Sequence, residues 1–177
     1  TTAEEIHRSL LERWRKAMNL VGPGPVDPHF HDAVGAVTGL DAVGRWADLG
    51  SGAGFPGIAL AARCPSASVL LVESRAKRAT FLAQVVREAQ LDNATIFHGR
   101  VEELTPGFDG IISRAFRPPE AYLKDAERLL APGGRAVLLS GDPPPNFAGW
   151  VVEDMVEYAV GDGTRTRTLL TRESIEI

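Results

Sequence analysis

The densest chemical signal in the chain is the run Asp48-Leu49-Gly50-Ser51-Gly52-Ala53-Gly54-Phe55-Pro56-Gly57, in which an aspartate precedes four glycines. Without a β-carbon, the backbone turns sharply and approaches a ligand closely. The spacing Gly52-x-Gly54-x-x-Gly57 matches a dinucleotide fingerprint. The overlapping spacing Asp48-x-Gly50-x-Gly52-x-Gly54 instead sets a carboxylate two residues before the first glycine. A carboxylate there repels phosphate and suits a zwitterionic, partly cationic ligand. A tight strand-to-helix turn with no ligand is the bland alternative. Glu73 stands 25 residues after Asp48, at the end of a second apolar run. An acid in that place accepts hydrogen bonds from both hydroxyls of a ribose; a surface glutamate at a strand end is the plain reading.

The Asp48-x-Gly50-x-Gly52-x-Gly54 spacing resembles the loop of S-adenosylmethionine-dependent methyltransferases. Arg114 follows a short apolar run and has the planar guanidinium that holds phosphate or stacks on a base. A salt bridge near the strand ends is its structural alternative. Arg75, Lys77 and Arg78, and further on Arg165 and Arg167, are candidates for phosphate contact or for solvated faces. His29, His31 and Asp32 are the candidate bases, although a satisfied structural histidine is the commoner case. Trp14, Phe30, Phe55 and Phe116 are the aromatic residues to watch for base stacking, each competing with a place in the core.

The elements that must position these residues follow from periodicity. Ile6, Leu10, Leu11, Trp14 and Met18 recur at helical spacing, which predicts an amphipathic helix over 3–19. Gly22-Pro23-Gly24-Pro25 breaks it, and helix resumes over Asp32–Leu40. From Arg45 strands and helices alternate. Strands are predicted at 46–49, 68–73, 94–98, 110–113 and 135–140, with helices over 58–63, 77–90 and 120–130, the last ended by Pro132-Gly133-Gly134. Further strand candidates lie at 151–160 and 166–171. Such alternation means an α/β fold, a Rossmann-like, mostly parallel sheet with helices on both faces. Ligands of such sheets lie beyond the carboxyl ends of the strands, which is where Asp48 and Glu73 fall.

Length and composition agree with one domain over 1–177, made of a helical N-terminal extension (1–43) and a core (44–177). Apolar residues are 44% and charged residues 24%, which excludes a disordered chain. No uncharged stretch approaches the roughly 20 apolar residues of a membrane helix, and Glu4, Glu5 and Arg8 interrupt any signal-peptide core. The one cysteine, Cys64, leaves no internal disulfide and no cysteine-built zinc site, as expected of a cytoplasmic chain. Net charge is −4, against a general polyanion binder. Yet 142–163 holds five acids and no Lys or Arg, whereas 75–100 holds five bases and two acids. Ordinary solvated faces explain this; so does a mildly basic working face with an acidic back, a layout that docks on RNA.

Four blocks, Asp48–Ile58, Glu73–Leu82, Gly99–Glu103 and Phe108–Phe116, together resemble the bacterial small-subunit ribosomal RNA methyltransferase G family, also called the glucose-inhibited division protein B family. Phe55-Pro56-Gly57 and Ser113-Arg114-Ala115 are its more specific parts. The resemblance implies a class I methyltransferase fold with an antiparallel C-terminal strand. It implies methyl transfer from S-adenosylmethionine to N7 of a guanine in 16S ribosomal RNA, naked or in the small subunit, by a monomer. It places Gly50 and Phe55 at the cofactor with Asp48 and Gly52 in support, Val101 and Glu102 beside the adenine, and Arg114 between cofactor and incoming base. Guanine N7 offers a lone pair and carries no proton, so this attack needs no general base. The chain departs from the family at Trp14-Arg15, Asn19-Leu20-Val21, Ala33 and Ser140-Gly141, all outside the cofactor half. Transfer to a small molecule or protein, and cofactor binding without turnover, are the alternatives.

Overall fold

The computed structural model describes residues 1–174, so the end of the expected 44–177 core, 175–177, lies outside the described residues. In chain order the elements are α1 (Ala3–Trp14), α2 (Asp27–Val37), β1 (Gly44–Leu49), α3 (Gly57–Arg63), β2 (Ala67–Glu73) and α4 (Ala76–Glu88). There follow β3 (Ala94–His98), a 3-10 turn (Val101–Glu103), β4 (Phe108–Ser113), α5 (Pro119–Leu129), β5 (Leu130–Ser140), β6 (Trp150–Val160) and β7 (Gly163–Arg172). The seven strands form one sheet in the order β3-β2-β1-β4-β5-β7-β6. The first five are parallel, and β7 runs antiparallel to both β5 and β6. The order reverses at β1, so a cleft opens beyond the ends of β1, β2 and β4.

Side chains of a strand alternate between the faces of its sheet, and β1 shows what each face meets. Trp46 joins Leu10, Leu11, Phe30, Leu60 and Phe81 on the side of α1 to α4. Ala47 and Leu49 join Tyr122, Leu123, Ala126 and Leu129 of α5 on the other. Both faces carry helices as expected, though unevenly. Asp48 shares the face of Trp46 and lies fully buried.

Three expected boundaries shift. Helix α1, opened by a capping box between Thr2 and Glu5, stops at Trp14 instead of continuing to 19. The amides of Ala17 and Met18 both turn back onto the Trp14 carbonyl at 3.0 Å, which brings Leu20 under cover. Helix α2 starts at Asp27, not Asp32, with Pro28 in its first turn where proline's fixed φ suits a helix; it ends before Gly39, whose φ is +74°. Pro132-Gly133-Gly134 does not separate helix from strand: α5 is already over, and β5 begins at Leu130 with a register shift against β4. Among the described residues no helix is long and apolar enough to cross a membrane.

Candidate active site

Beyond Leu49 the chain turns through the glycines into α3. The Ser51 amide donates to the Val72 carbonyl at 2.8 Å, tying the turn to β2. Beneath it, Asp48 Oδ2 accepts from Ser51 Oγ at 2.8 Å and from the Gly57 amide at 3.0 Å. A Cβ at Gly57 would overlap both Asp48 and Leu71, so only glycine lets this amide reach the carboxyl. Burial pushes the Asp48 carboxyl up to about 7, although those two hydrogen bonds and the Arg114 charge pull it down. Asp48 is therefore a brace under the turn and does not line the cleft, which corrects the charge argument that set its carboxylate beside a ligand and leaves it a supporting place.

Glu73 is the acid that does line the cleft. Its Oε2 accepts from the Gly52 amide at 2.8 Å and its Oε1 from the Arg75 amide at 3.1 Å. Gly52 has φ +61°, and a Cβ there would meet Arg78 and the Gly50 carbonyl only at 3.8 Å, an ordinary contact. One carboxylate thus holds the tip of the turn and the start of α4, and each oxygen keeps a lone pair for a further donor.

The cleft measures about 510 Å³, within the range of sites for a nucleoside-sized ligand. Gly50, Gly52, Phe55, Glu73, Val101, Glu102 and Arg114 all line it, so of the residues expected at the cofactor only Asp48 stands apart. The 3-10 turn of Val101 and Glu102 is pinned from α5, where Arg128 donates to the Val101 carbonyl at 2.8 Å and to the Leu104 carbonyl at 2.9 Å. Glu102 is exposed and paired with Arg117, which holds its carboxyl below the usual range. Arg117 also reaches Asp125 at 2.7 Å. Of the anticipated cations Arg75 and Arg78 stand on the rim, and the structure adds Arg100 and Arg117; Arg78 is tied to the Asn19 carbonyl at 3.0 Å.

At the mouth, Phe55 is 3% exposed and packed on every side. His29 stacks on its ring at 5.5 Å, Phe30 meets it edge-on at 5.0 Å, and the Arg114 guanidinium lies 4.9 Å from its centre. Arg114 Nη1 donates to His29 Nδ1 at 3.2 Å, which requires an unprotonated acceptor nitrogen. Burial, then the Arg114 charge, lowers the His29 imidazole below its usual range. Phe116 lies over Gly50, next to Ala115 at φ +51°, and carries the Arg117 guanidinium 4.7 Å above its ring. Of the four aromatics singled out, Trp14, Phe30 and Phe55 pack inward and Phe116 alone is exposed.

Other candidates separate. His31 is exposed, whereas Asp32 is 3% exposed and paired. Arg167 is a structural tie, donating to the Thr38 carbonyl at 2.6 Å from a buried position, so it is not a phosphate contact. His7 escaped the sequence reading. Its place three residues before Leu10 put it on the buried stripe of α1, which was the available signal.

The glycine turn, the acid ending the second strand and this strand order define the class I methyltransferase architecture. Solved structures agree on the fold: mitomycin 7-O-methyltransferase MmcR superposes with TM-score 0.66 at 17% identity, over 98% of this chain and 61% of that one. A putative O-methyltransferase from Klebsiella pneumoniae gives 0.67 at 19% identity, over 96% and 90%. The chain belongs to the rRNA small subunit methyltransferase G family, whose model matches residues 4–146. It is 37% identical over 171 residues to the ribosomal RNA small subunit methyltransferase G of Nitratidesulfovibrio vulgaris (strain DP4), covering 88% of this chain and 78% of that one. With the protein of the same name from Pseudomonas fluorescens (strain Pf0-1) it shares 37% identity over 142 residues, covering 77% and 66%.

Proposed function

We propose that this chain moves the methyl group of S-adenosylmethionine to N7 of a guanine in 16S ribosomal RNA. The observation that carries the reading is the juxtaposition in one cleft of the glycine turn, a strand-end carboxylate at Glu73 and a guanidinium rim. The acid opposes a pyrophosphate on the same turn and favours the hydroxyls of a ribose. The turn at Gly50 and Gly52 offers main chain to the amino-acid end, Val101 and Glu102 border the adenine, and Phe55 walls the site.

The bound sulfonium supplies an activated methyl: the N7 lone pair forms the new bond to carbon, the carbon–sulfur bond breaks, and its electron pair stays on sulfur. What remains for the protein is alignment and exclusion of water. The site suits that task, since His29 and Asp32 are both engaged with Arg114. An attack that releases no proton asks for neither as a base. Arg114 stands where a guanidinium receives a purine by stacking or holds its phosphate, and Arg75, Arg78 and Arg100 extend that positive edge.

Labelled methyl transfer to small ribosomal subunits lacking the modification, with naked 16S RNA as a second arm, tests this. Label recovered as 7-methylguanine is the expected result. Tight cofactor binding with unlabelled RNA in both arms overturns it in favour of another acceptor.

A further inference from the structure

A buried charge cluster behind the cleft belongs to neither the cofactor wall nor the apolar core. Asp32 is 3% exposed, and elements far apart in sequence converge on it. Tyr158 of β6 donates its hydroxyl to Asp32 Oδ1 at 2.8 Å. Asp32 Oδ2 faces the Arg114 guanidinium at 3.7 Å and that of Arg165, on β7, at 4.0 Å. The Tyr158 ring fills the space that a Cβ at Gly35 would need, so α2 carries a socket for it. Burial and the Asp32 carboxylate keep the phenol well above its ordinary range, hence a proton donor at any working pH.

A buried carboxylate must have its lone pairs met. With Tyr158 taking one oxygen, the other is left facing Arg114 at 3.7 Å, with Arg165 farther off at 4.0 Å. An arginine stem is long and has many rotamers; a fixed anion on one side, with His29 and Phe55 on the others, selects one. We propose that the Asp32–Tyr158 pair is a positioning device that sets Arg114 over Phe55 at the cleft mouth and thereby aligns the acceptor base with the methyl group. This rests on the methyl-transfer reading above. Asp32 and Tyr158 are positioning residues, acting only through Arg114. The C-terminal hairpin, remote from the glycine turn in sequence, thus acts on the reacting end of the cleft.

Tyr158→Phe removes one hydroxyl and leaves the ring in its socket. The expected result is a kcat about tenfold lower on small subunits, since a displacement near 1 Å costs up to ~10²-fold in such alignments. The calorimetric Kd for S-adenosylhomocysteine stays near wild type, while the Tm falls by what one lost donor to a buried carboxylate costs. Asp32→Asn lowers kcat further. A wild-type kcat in Tyr158→Phe overturns the proposal, and so does a loss of cofactor affinity in proportion to kcat. Should the wild-type chain label no RNA, the methyl-transfer reading fails separately, and the His29 ring titration followed by NMR still decides the geometry. Arg114 released in Tyr158→Phe lets the His29 pKa rise toward the ordinary imidazole value, whereas an unmoved titration overturns the device.

Discussion

His7 Nε2 donates to the Ala53 carbonyl at 2.7 Å, so a side chain of the first helix holds the glycine turn from behind. The imidazole sits between Phe30 at 5.0 Å and Phe55 at 4.9 Å and is 2% exposed. Desolvation lowers it from 6.5 to about 4. The N-terminal helix is thereby part of the cleft's construction.

His7 and Asp48 give opposite pH dependences. The stability that His7 contributes by staying neutral is complete above about pH 6.5 and is lost as pH falls through about 4. Asp48, raised from 3.8 to about 7, favours the native state most below 3.8 and loses that contribution as pH rises through 7. In the wild type the two largely cancel between pH 4 and 7. The unfolding free energy of wild type minus that of His7→Gln should fall by roughly 3 kcal/mol from pH 7 to pH 4. For Asp48→Asn the same difference should change in the opposite direction. Urea titrations across that range measure both, and a flat difference for His7→Gln refutes the assignment.

Glu73→Ala should weaken S-adenosylmethionine binding by about 1–3 kcal/mol, the range for hydrogen bonds to a charged group. It also strips the Gly52 and Arg75 amides of their acceptor. Glu73→Gln, which keeps an oxygen but no charge, should lose less. Calorimetry gives both values, and unchanged affinity in the alanine variant rejects the role.

Arg114→Ala should depress turnover more than cofactor binding, because its guanidinium contacts Phe55, His29 and Asp32 at the mouth. Arg114→Lys should recover little, since an ammonium cannot stack as the planar fork does. Equal losses in kcat and in the Kd for S-adenosylhomocysteine would assign Arg114 to the cofactor alone.

Gly57→Ala should destabilise by about 1–3 kcal/mol, the cost of overpacking a filled interior, because the new methyl overlaps Asp48 and Leu71. Thermal unfolding reads this directly. A Tm equal to wild type would mean that the brace under the turn is not tight.

The strands and most of the cleft were legible because they rest on local rules. The apolar runs of β1 to β4 and the turn residues between them point to a parallel sheet, and its strand ends bring Gly50, Gly52, Glu73 and Val101 to one cleft. Helix ends were less legible: α1 is cut at Trp14 by the need to bury Leu20, which no pattern within the helix announces. The contacts of His7 with Ala53 and of Tyr158 with Asp32 join residues 46 and 126 positions apart, beyond the reach of spacing.

By itself, then, the order of residues determined a backbone free to bend after the first strand and an acid at the end of the second, since glycine's conformational range and strand periodicity are properties of short stretches. Only the tertiary structure decided which acid faces the cleft. Asp48 points toward α3, where Ser51 and Gly57 enclose it, whereas Glu73 ends its strand at the open cleft. That division depends on which helix covers which face, and so on packing between segments distant in the chain.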